Sequence, residues 1–312
     1  MLHEGQRGEC RIRVYLDGAI RAVTYGLPSA IHLDPVEKKP FYHFHPARQA
    51  FSVATAGCNL HCANCQNWTL SQANPESLDN TPLSPDELVT AAQRMGAPMI
   101  AFTYSEPLVF YEYTLDGSRA ARQAGIDPLL VSAGYANPGP VRELFKVISA
   151  ATIDVKAFDD GFYRKVCKAS LKPVLNTLVL AKEAGIWLEV STLVIPTLND
   201  SPAMFTPLAK WIVSNLGKDT PLHLLRYYPQ YRLQNLPPTP ASTLRNLADE
   251  AHAAGLHYVY IGNVEGDPAS DTRCPHCGTV LVRRVGYVVL RDLLGRDGKC
   301  PNCGTVIAGV WS

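Results

Sequence analysis

Four stretches with helical periodicity in this chain end on a glycine that stands directly before a short β-rich run, at Gly96, Gly125, Gly185 and Gly255. Glycine at that place supplies the left-handed residue that closes a helix. The runs themselves are rich in branched and aromatic residues, as strands are. Together with runs that lack the glycine signal, they give predicted strands over 51–55, 99–103, 128–132, 152–156, 187–195, 221–226 and 257–261. Strands alternating with amphipathic helices require an α/β fold with a parallel sheet, either a (β/α) barrel or a doubly wound sheet. One helix start is written out in full. Ser84-Pro85-Asp86-Glu87 is a capping box with proline at the first helical position, and Leu83 and Leu88 are placed as a hydrophobic staple.

The texture changes at both ends of this alternation. Residues 1–50 read as a small β-rich extension that finishes in Phe41-Tyr42-His43-Phe44-His45-Pro46. A polar stretch over 264–273 then leads into a short, cysteine-paired, β-rich tail. The predicted division is 1–50 for the extension, 51–267 for the α/β body and 268–312 for the tail. Hydrophobic residues make up 46% and charged residues 18% of the chain, which excludes a disordered or fibrous protein. A net charge of +1 provides no global attraction to nucleic acid or acidic lipid. The first residues lack the apolar core of a signal peptide, and no apolar run approaches the roughly 20 residues that span a bilayer. No membrane partner and a cytoplasmic location are therefore expected.

Seven of the nine cysteines fall into tight groups, and such spacings suit thiolates wrapped around metal better than disulfides. Cys58, Cys62 and Cys65 form a C-x3-C-x2-C run just after the first strand of the alternation, at the strand end where barrel enzymes carry their chemistry. A cubane cluster has four irons, so three thiolates from one loop leave one iron open to a ligand. S-adenosylmethionine could chelate that iron through its amino and carboxylate groups. The plain alternative is a structural zinc or iron site completed by His61 or a distant residue. Cys274, Cys277, Cys300 and Cys303 form two matching Cys-Pro-x-Cys-Gly knuckles in a tail too small for a core of its own. Four thiolates there would close a tetrahedral site, with zinc preferred and iron or an auxiliary cluster as the alternatives. Arg283, Arg284, Arg291, Arg296 and Lys299 lie near the knuckles but do not form the dense stripe that nucleic acid requires.

These motifs resemble the radical S-adenosylmethionine (SAM) superfamily, and within it the AmmeMemoRadiSam system branch related to the activating enzymes of glycyl-radical enzymes such as pyruvate formate-lyase. The resemblance is carried by DPVEKKPFYHFHP, AGCNLHCANCQNW, AFTYSEP, IDVKAF, LVIPTLND, YIGNV and the two knuckles, and so covers nearly the whole chain. It implies a partial (β/α) TIM-like barrel with a small N-terminal β extension and a C-terminal zinc-ribbon-like domain. It also implies a [4Fe-4S] cluster on Cys58, Cys62 and Cys65 that cleaves SAM to a 5′-deoxyadenosyl radical. That radical would take hydrogen from a protein, peptide or small-molecule substrate. An electron donor such as flavodoxin or ferredoxin goes with this chemistry, and no protein acid or base is obligatory for it.

By the same resemblance, Tyr104, Ser105 and Glu106 occupy the place of the superfamily's cofactor-amino motif, with Glu106 as acceptor. Ser132 ends the third strand nearby. Asp154 and Lys156 are expected to reach the methionine moiety, and Thr192, Pro196 and Asn199 to line the adenosine side. At least one of His223, Arg226 and Tyr228 is expected at the mouth. A surface carboxylate at Glu106 and a structural Asp154–Lys156 pair are the plain alternatives. Two departures stand out: Asn64 replaces the usual aromatic residue before the third cysteine, and Cys10 looks like the remnant of a longer cysteine-rich start. His43, His45 and His61 invite a metal reading, although packing around a cluster lid is simpler, and Cys167 reads as a lone cysteine. Two other functions fit the same motifs, an RNA-modifying radical enzyme that grips RNA through the ribbon and a non-enzymatic iron-sulfur electron carrier.

Overall fold

The computed structural model describes residues 2–311. An antiparallel hairpin of β1 (Arg13–Leu16) and β2 (Ala19–Ala22) opens the chain, turned by Asp17 and Gly18, both at positive φ as a tight hairpin turn requires. The central sheet follows, with β3 (Ala30–Pro35), β4 (Gln49–Ala54), β5 (Met99–Phe102), β6 (Asp127–Ser132), β7 (Ala150–Asp154), β8 (Trp187–Val194), β9 (Leu222–Arg226) and β10 (Val259–Gly262). Spatial order equals chain order. Each strand from β4 to β10 is parallel to its neighbour, and β3 pairs antiparallel with β4 at the edge. A doubly wound sheet reverses its strand order part-way. This sheet never does, and its outer strands β3 and β10 do not meet, so the fold is a partial (β/α) barrel.

The crossovers carry α1 (Trp68–Ser71), α2 (Pro85–Arg94), α3 (Tyr111–Gln123), α4 (Pro138–Phe145), α5 (Asp160–Phe162), α6 (Leu171–Glu183), α7 (Pro202–Asn215) and α8 (Ala241–Ala253). The capping box is formed: Ser84 N donates to Glu87 Oε2 at 2.8 Å and Glu87 N to Ser84 Oγ at 3.4 Å. Gly96, Gly125, Gly185 and Gly255 all have positive φ two residues beyond the last residue of α2, α3, α6 and α8. Outward strand residues such as Leu130, Ile153, Val190 and Leu224 pack on Val141, Leu178, Leu208 and Leu247 of the helices. No helix among the described residues is long and apolar enough to cross a membrane.

The segment after β3 plugs the barrel at the amino ends of the strands. Phe41 and Phe44 are buried there with Val36, Met99, Ala101 and Leu129. A carboxylate inside a barrel is costly unless its oxygens are satisfied, and Glu189 of β8 is. It accepts from Tyr42 N (3.0 Å), His43 N (2.8 Å), Trp187 Nε1 (3.0 Å) and His223 Nε2 (2.6 Å). Burial alone would push its carboxyl up; His223 and the other donors hold it below its usual value. The plug is thereby pinned to the sheet.

A three-stranded antiparallel ribbon of β11 (Thr272–Arg273), β12 (Val280–Val285) and β13 (Val288–Asp292) packs on Tyr42 of the plug and on Tyr258 and Tyr260 at β10. Arg284 is no surface cation, although its sequence position beside the knuckles suggests one. It is buried, donates to Tyr42 O and Thr272 Oγ1 at 2.8 Å each, and lies 4.2 Å from the centre of the Tyr42 ring. The tail returns to the plug as well, with Val310 N donating to His43 O at 2.7 Å and His45 N to Val310 O at 2.8 Å.

Candidate active site

The loop that carries Cys58, Cys62 and Cys65 leaves β4 through Gly57, whose φ of +96° suits glycine. A Cβ there would stand 2.5 Å from Cys10 O and 2.7 Å from Ile12 Cγ2, so the loop needs glycine on two counts. Cys10 itself is buried and supports the loop through this backbone contact. Cys58, Cys62 and Cys65 then line a cavity of about 330 Å³, a size typical of ligand sites, at the carboxyl ends of the strands.

The same cavity gathers Tyr104, Ser105, Glu106, Ser132, Asp154 and Lys156 from the ends of β5, β6 and β7. Tyr104, at φ +64°, accepts Asn67 Nδ2 on its carbonyl at 2.9 Å, and Ser105 Oγ donates to Thr55 O at 2.7 Å. Glu106 is buried, and burial pushes its carboxyl up. Its Oε1 accepts from Ser132 Oγ (2.6 Å) and Leu108 N (3.0 Å), whereas Oε2 accepts only from Ala133 N (2.8 Å) and retains a lone pair. Lys156 lies two residues beyond Asp154, which ends β7; its ammonium donates to Asp154, and Ser191 Oγ donates to the same carboxylate. Burial favours the neutral amine, but Asp154 and the Cys62 sulfur hold Lys156 above its usual range. Burial and Glu106 push the Cys58 thiol up, while a hydrogen bond from the Cys167 thiol holds Cys62 down. Cys167 therefore lies against Cys62 and is not a lone cysteine.

The geometry also separates two kinds of metal site. Two sulfurs on one zinc ion stand at most about 4.6 Å apart, twice a Zn–S bond. Among the described residues, the group whose ligand atoms all fall within 4.8 Å is Cys274, Cys277, Cys300 and Cys303. The sulfurs of Cys58, Cys62 and Cys65 do not all lie that close, so the loop does not frame a single zinc ion.

Residues 52–206 match the family described as the Radical SAM superfamily. An uncharacterized protein of Methanocaldococcus jannaschii is 41% identical over 297 residues, covering 95% of this chain and 88% of its own length. The chain belongs to the radical SAM superfamily. The pyruvate formate-lyase-activating enzyme of Clostridium pasteurianum is 24% identical over 181 residues, 55% of this chain and 72% of that one. Among solved structures, a radical SAM methyltransferase from Sphaerobacter thermophilus shares the fold with a TM-score of 0.56 at 16% identity, over 71% of this chain and 68% of its own. Radical SAM proteins use a [4Fe-4S] cluster and SAM, and three wide-set thiols beside Glu106 and Lys156 fit that pair of groups.

Several residues expected at the radical SAM site lie elsewhere. Thr192 pairs in register with Leu224, on the face of β8 opposite to Ser191 and Leu193, and so points toward the helices; its buried Oγ1 has no partner. Asn199 spends its amide on Lys156 O (2.7 Å), Leu193 O (2.9 Å) and Ile195 N (2.6 Å), which ties the ends of β7 and β8 together. His223 is buried on Glu189 at the opposite end, whereas Leu225 of β9 lines the cavity and Tyr228, beyond the carboxyl end of β9, is exposed and donates to Asn263 O at 3.1 Å. His43 packs against the ribbon tail and not around the cluster, and His61 Nδ1 is hydrogen-bonded to Gln72 Oε1 at 2.7 Å.

Other residues enter the cavity unannounced. Lys38 and Lys39, from the segment after β3, both donate to Asp34 at 2.7 Å, and the Tyr104 hydroxyl also donates to that carboxylate. Burial lowers Lys39 to about 8, and its ammonium stands 4.0 Å over the Tyr104 ring. The DPVEKKPF motif is visible in the sequence, but its reach into the cavity has no local signature. Tyr287, from the ribbon hairpin, also lines the cavity.

Proposed function

We propose that this protein cleaves SAM reductively at a [4Fe-4S] cluster held by Cys58, Cys62 and Cys65 and takes a hydrogen atom from a protein or peptide substrate. The observation that carries this reading is the single cavity that unites three wide-set thiols with a buried, partly satisfied carboxylate and a Lys–Asp pair. When bound, the cluster supplies the one electron that splits a C–S bond of SAM to yield the 5′-deoxyadenosyl radical.

The chain's own residues would bind and orient. Glu106 Oε2 accepts from the cofactor's ammonium, a charge-assisted bond of about 1.5–3 kcal/mol. Lys156 neutralises the cofactor carboxylate while Asp154 and Ser191 hold its side chain in place. Leu193, Leu225 and Val131 supply apolar wall that keeps water from the reacting centre. A substrate C–H bond then has only to be held within reach of the radical, which is a matter of positioning. Similarity to a pyruvate formate-lyase-activating enzyme supports a glycyl-radical-activase type of substrate, and a low-potential carrier such as flavodoxin or ferredoxin suits the electron. For the ribbon we propose zinc. Its Cys274–Cys303 and Cys277–Cys300 sulfurs are 3.6 and 3.7 Å apart, close to the roughly 3.8 Å edge of a tetrahedral zinc–thiolate site.

The test is anaerobic reconstitution with iron and sulfide, followed by dithionite and SAM. The expected result is a brown protein with a reduced-cluster EPR signal that releases 5′-deoxyadenosine, and Cys58→Ala, Cys62→Ala and Cys65→Ala variants that do neither. A colourless wild type, or a reduced cluster that leaves SAM intact, refutes the reading.

A further inference from the structure

Ala63 lies between Cys62 and Cys65, and its backbone is gripped from both sides. Its N–H donates to Val166 O at 2.9 Å, and its carbonyl accepts from Arg232 N at 3.0 Å. Two residues earlier in the loop, His61 N donates to Cys167 O at 2.9 Å. Each anchor has an exposed cation on it or next to it: Lys165 precedes Val166, Lys168 follows Cys167, and Arg232 is itself the donor. Among the described residues none of the three forms an ion pair, whereas neighbouring Arg164 is taken up by Asp160 at 2.9 Å. One exposed carboxylate, Glu9, stands 3.3 Å from His61 Nε2 of the loop.

Aromatic surface adjoins these cations. Trp68, three residues after Cys65, is 39% exposed and stacks on Tyr231, with ring centres 5.1 Å apart and planes 15° from parallel. The Arg232 guanidinium stands 5.0 Å from the centre of the Tyr231 ring. Trp, Tyr and Arg are the residues that anchor protein interfaces. Three unpaired cations around one loop, on a chain whose net charge is only +1, form a local positive rim that would steer an acidic partner to the loop.

We propose that this rim is the docking surface for an acidic protein that carries single low-potential electrons. The proposal rests on the radical SAM reading above, which requires one electron from outside for each cleavage. The rim is hydrogen-bonded directly to the loop that carries the three cysteines, so a carrier seated there sits beside that loop. In that step one electron leaves the reduced carrier, which is oxidised by one equivalent, and enters the cluster held by the three cysteines. No bond forms or breaks.

The experiment compares the reconstituted wild type with a K165E/K168E/R232E variant. Reduced flavodoxin is one electron source. Dithionite, too small to need a docking site, is the other. The expected result is that flavodoxin-driven reduction slows by about ten-fold or more in the variant, an effect of the size that charge steering provides. Salt should slow the wild type and not the variant, and dithionite should give both the same EPR signal. A K165Q/K168Q/R232Q variant should fall between the two and keeps the test valid should charge reversal disturb the loop. An unchanged flavodoxin rate overturns the proposal, as does an equal slowing with dithionite. So does a variant that loses affinity for single-stranded RNA while keeping its flavodoxin rate. A wild type that dithionite cannot reduce instead refutes the radical SAM reading itself, so the two failures are distinct.

Discussion

Gly57 shows how one residue without a side chain can govern a metal loop. Its Cβ position is occupied by the Cys10 carbonyl, a backbone atom that cannot rotate away. Gly57→Ala should therefore destabilise the loop by about 1–3 kcal/mol and reduce iron uptake in reconstitution, which iron analysis would show; full iron content would contradict this account of the loop. Glu106→Gln keeps the volume and the acceptor oxygen but removes the charge. On the proposed role, SAM affinity should fall roughly ten- to hundred-fold, as loss of a charge-assisted hydrogen bond implies, with cluster content unchanged. Equilibrium dialysis of SAM against the two proteins measures it.

Register and capping operate on whole elements. β8 carries Glu189, Ser191 and Leu193 on its inner face, so Thr192 falls on the helix side and its hydroxyl is buried without a partner. Thr192→Val removes an unsatisfied polar atom and nothing that reaches the cavity. It should leave SAM affinity unchanged and stability equal or slightly higher; a loss of SAM affinity would place Thr192 back in the site. At the start of α2, Ser84→Ala removes the acceptor for Glu87 N. A cost of about 1 kcal/mol is expected, read as a lower urea midpoint with an unchanged slope.

The whole molecule is joined through the plug, and His43 is the joint. Its Nδ1–H donates to Ala308 O of the tail at 2.6 Å, and its Nε2 accepts from the Tyr260 hydroxyl of β10, so it is held as the neutral ring. Burial, aided by Arg284 and His223 and opposed by Glu189, lowers its pKa to about 4. The unfolded chain takes up this proton near 6.5 and the folded one only near 4. The unfolded state thus binds more protons between those values, and stability falls as pH drops through that window. His43→Gln should lower the Tm at pH 7 and show a smaller further loss on going to pH 5 than the wild type does. An equal loss in both would assign the pH dependence to other groups. Metal removal acts at the same scale. Chelation of the ribbon ion should lower the Tm by freeing Arg284 and Trp311 from the plug, while the iron content of the loop stays the same.

Local features of the sequence determined much of this protein. Helix–glycine–strand units, the capping box and cysteines two or three residues apart each depend on neighbours along the chain, and so they are readable without a fold. Glu106, Ser132, Asp154 and Lys156 are marked in the sequence by the resemblance to radical SAM proteins, and the cavity gathers them because strand ends of a parallel sheet open onto one face. Tertiary structure alone decided the rest. It settled that strand order never reverses, that Lys38 and Lys39 enter the cavity from behind β3, and that Arg284 is a buried tie. It also put His223 on Glu189 and tied Asn199 to the ends of β7 and β8. Those outcomes depend on contacts between segments tens to hundreds of residues apart, such as Lys39 with Tyr104, Arg284 with Tyr42, His223 with Glu189 and Asn199 with Lys156. Such contacts leave no period or spacing in the sequence, because the two partners are selected by a shared position in space.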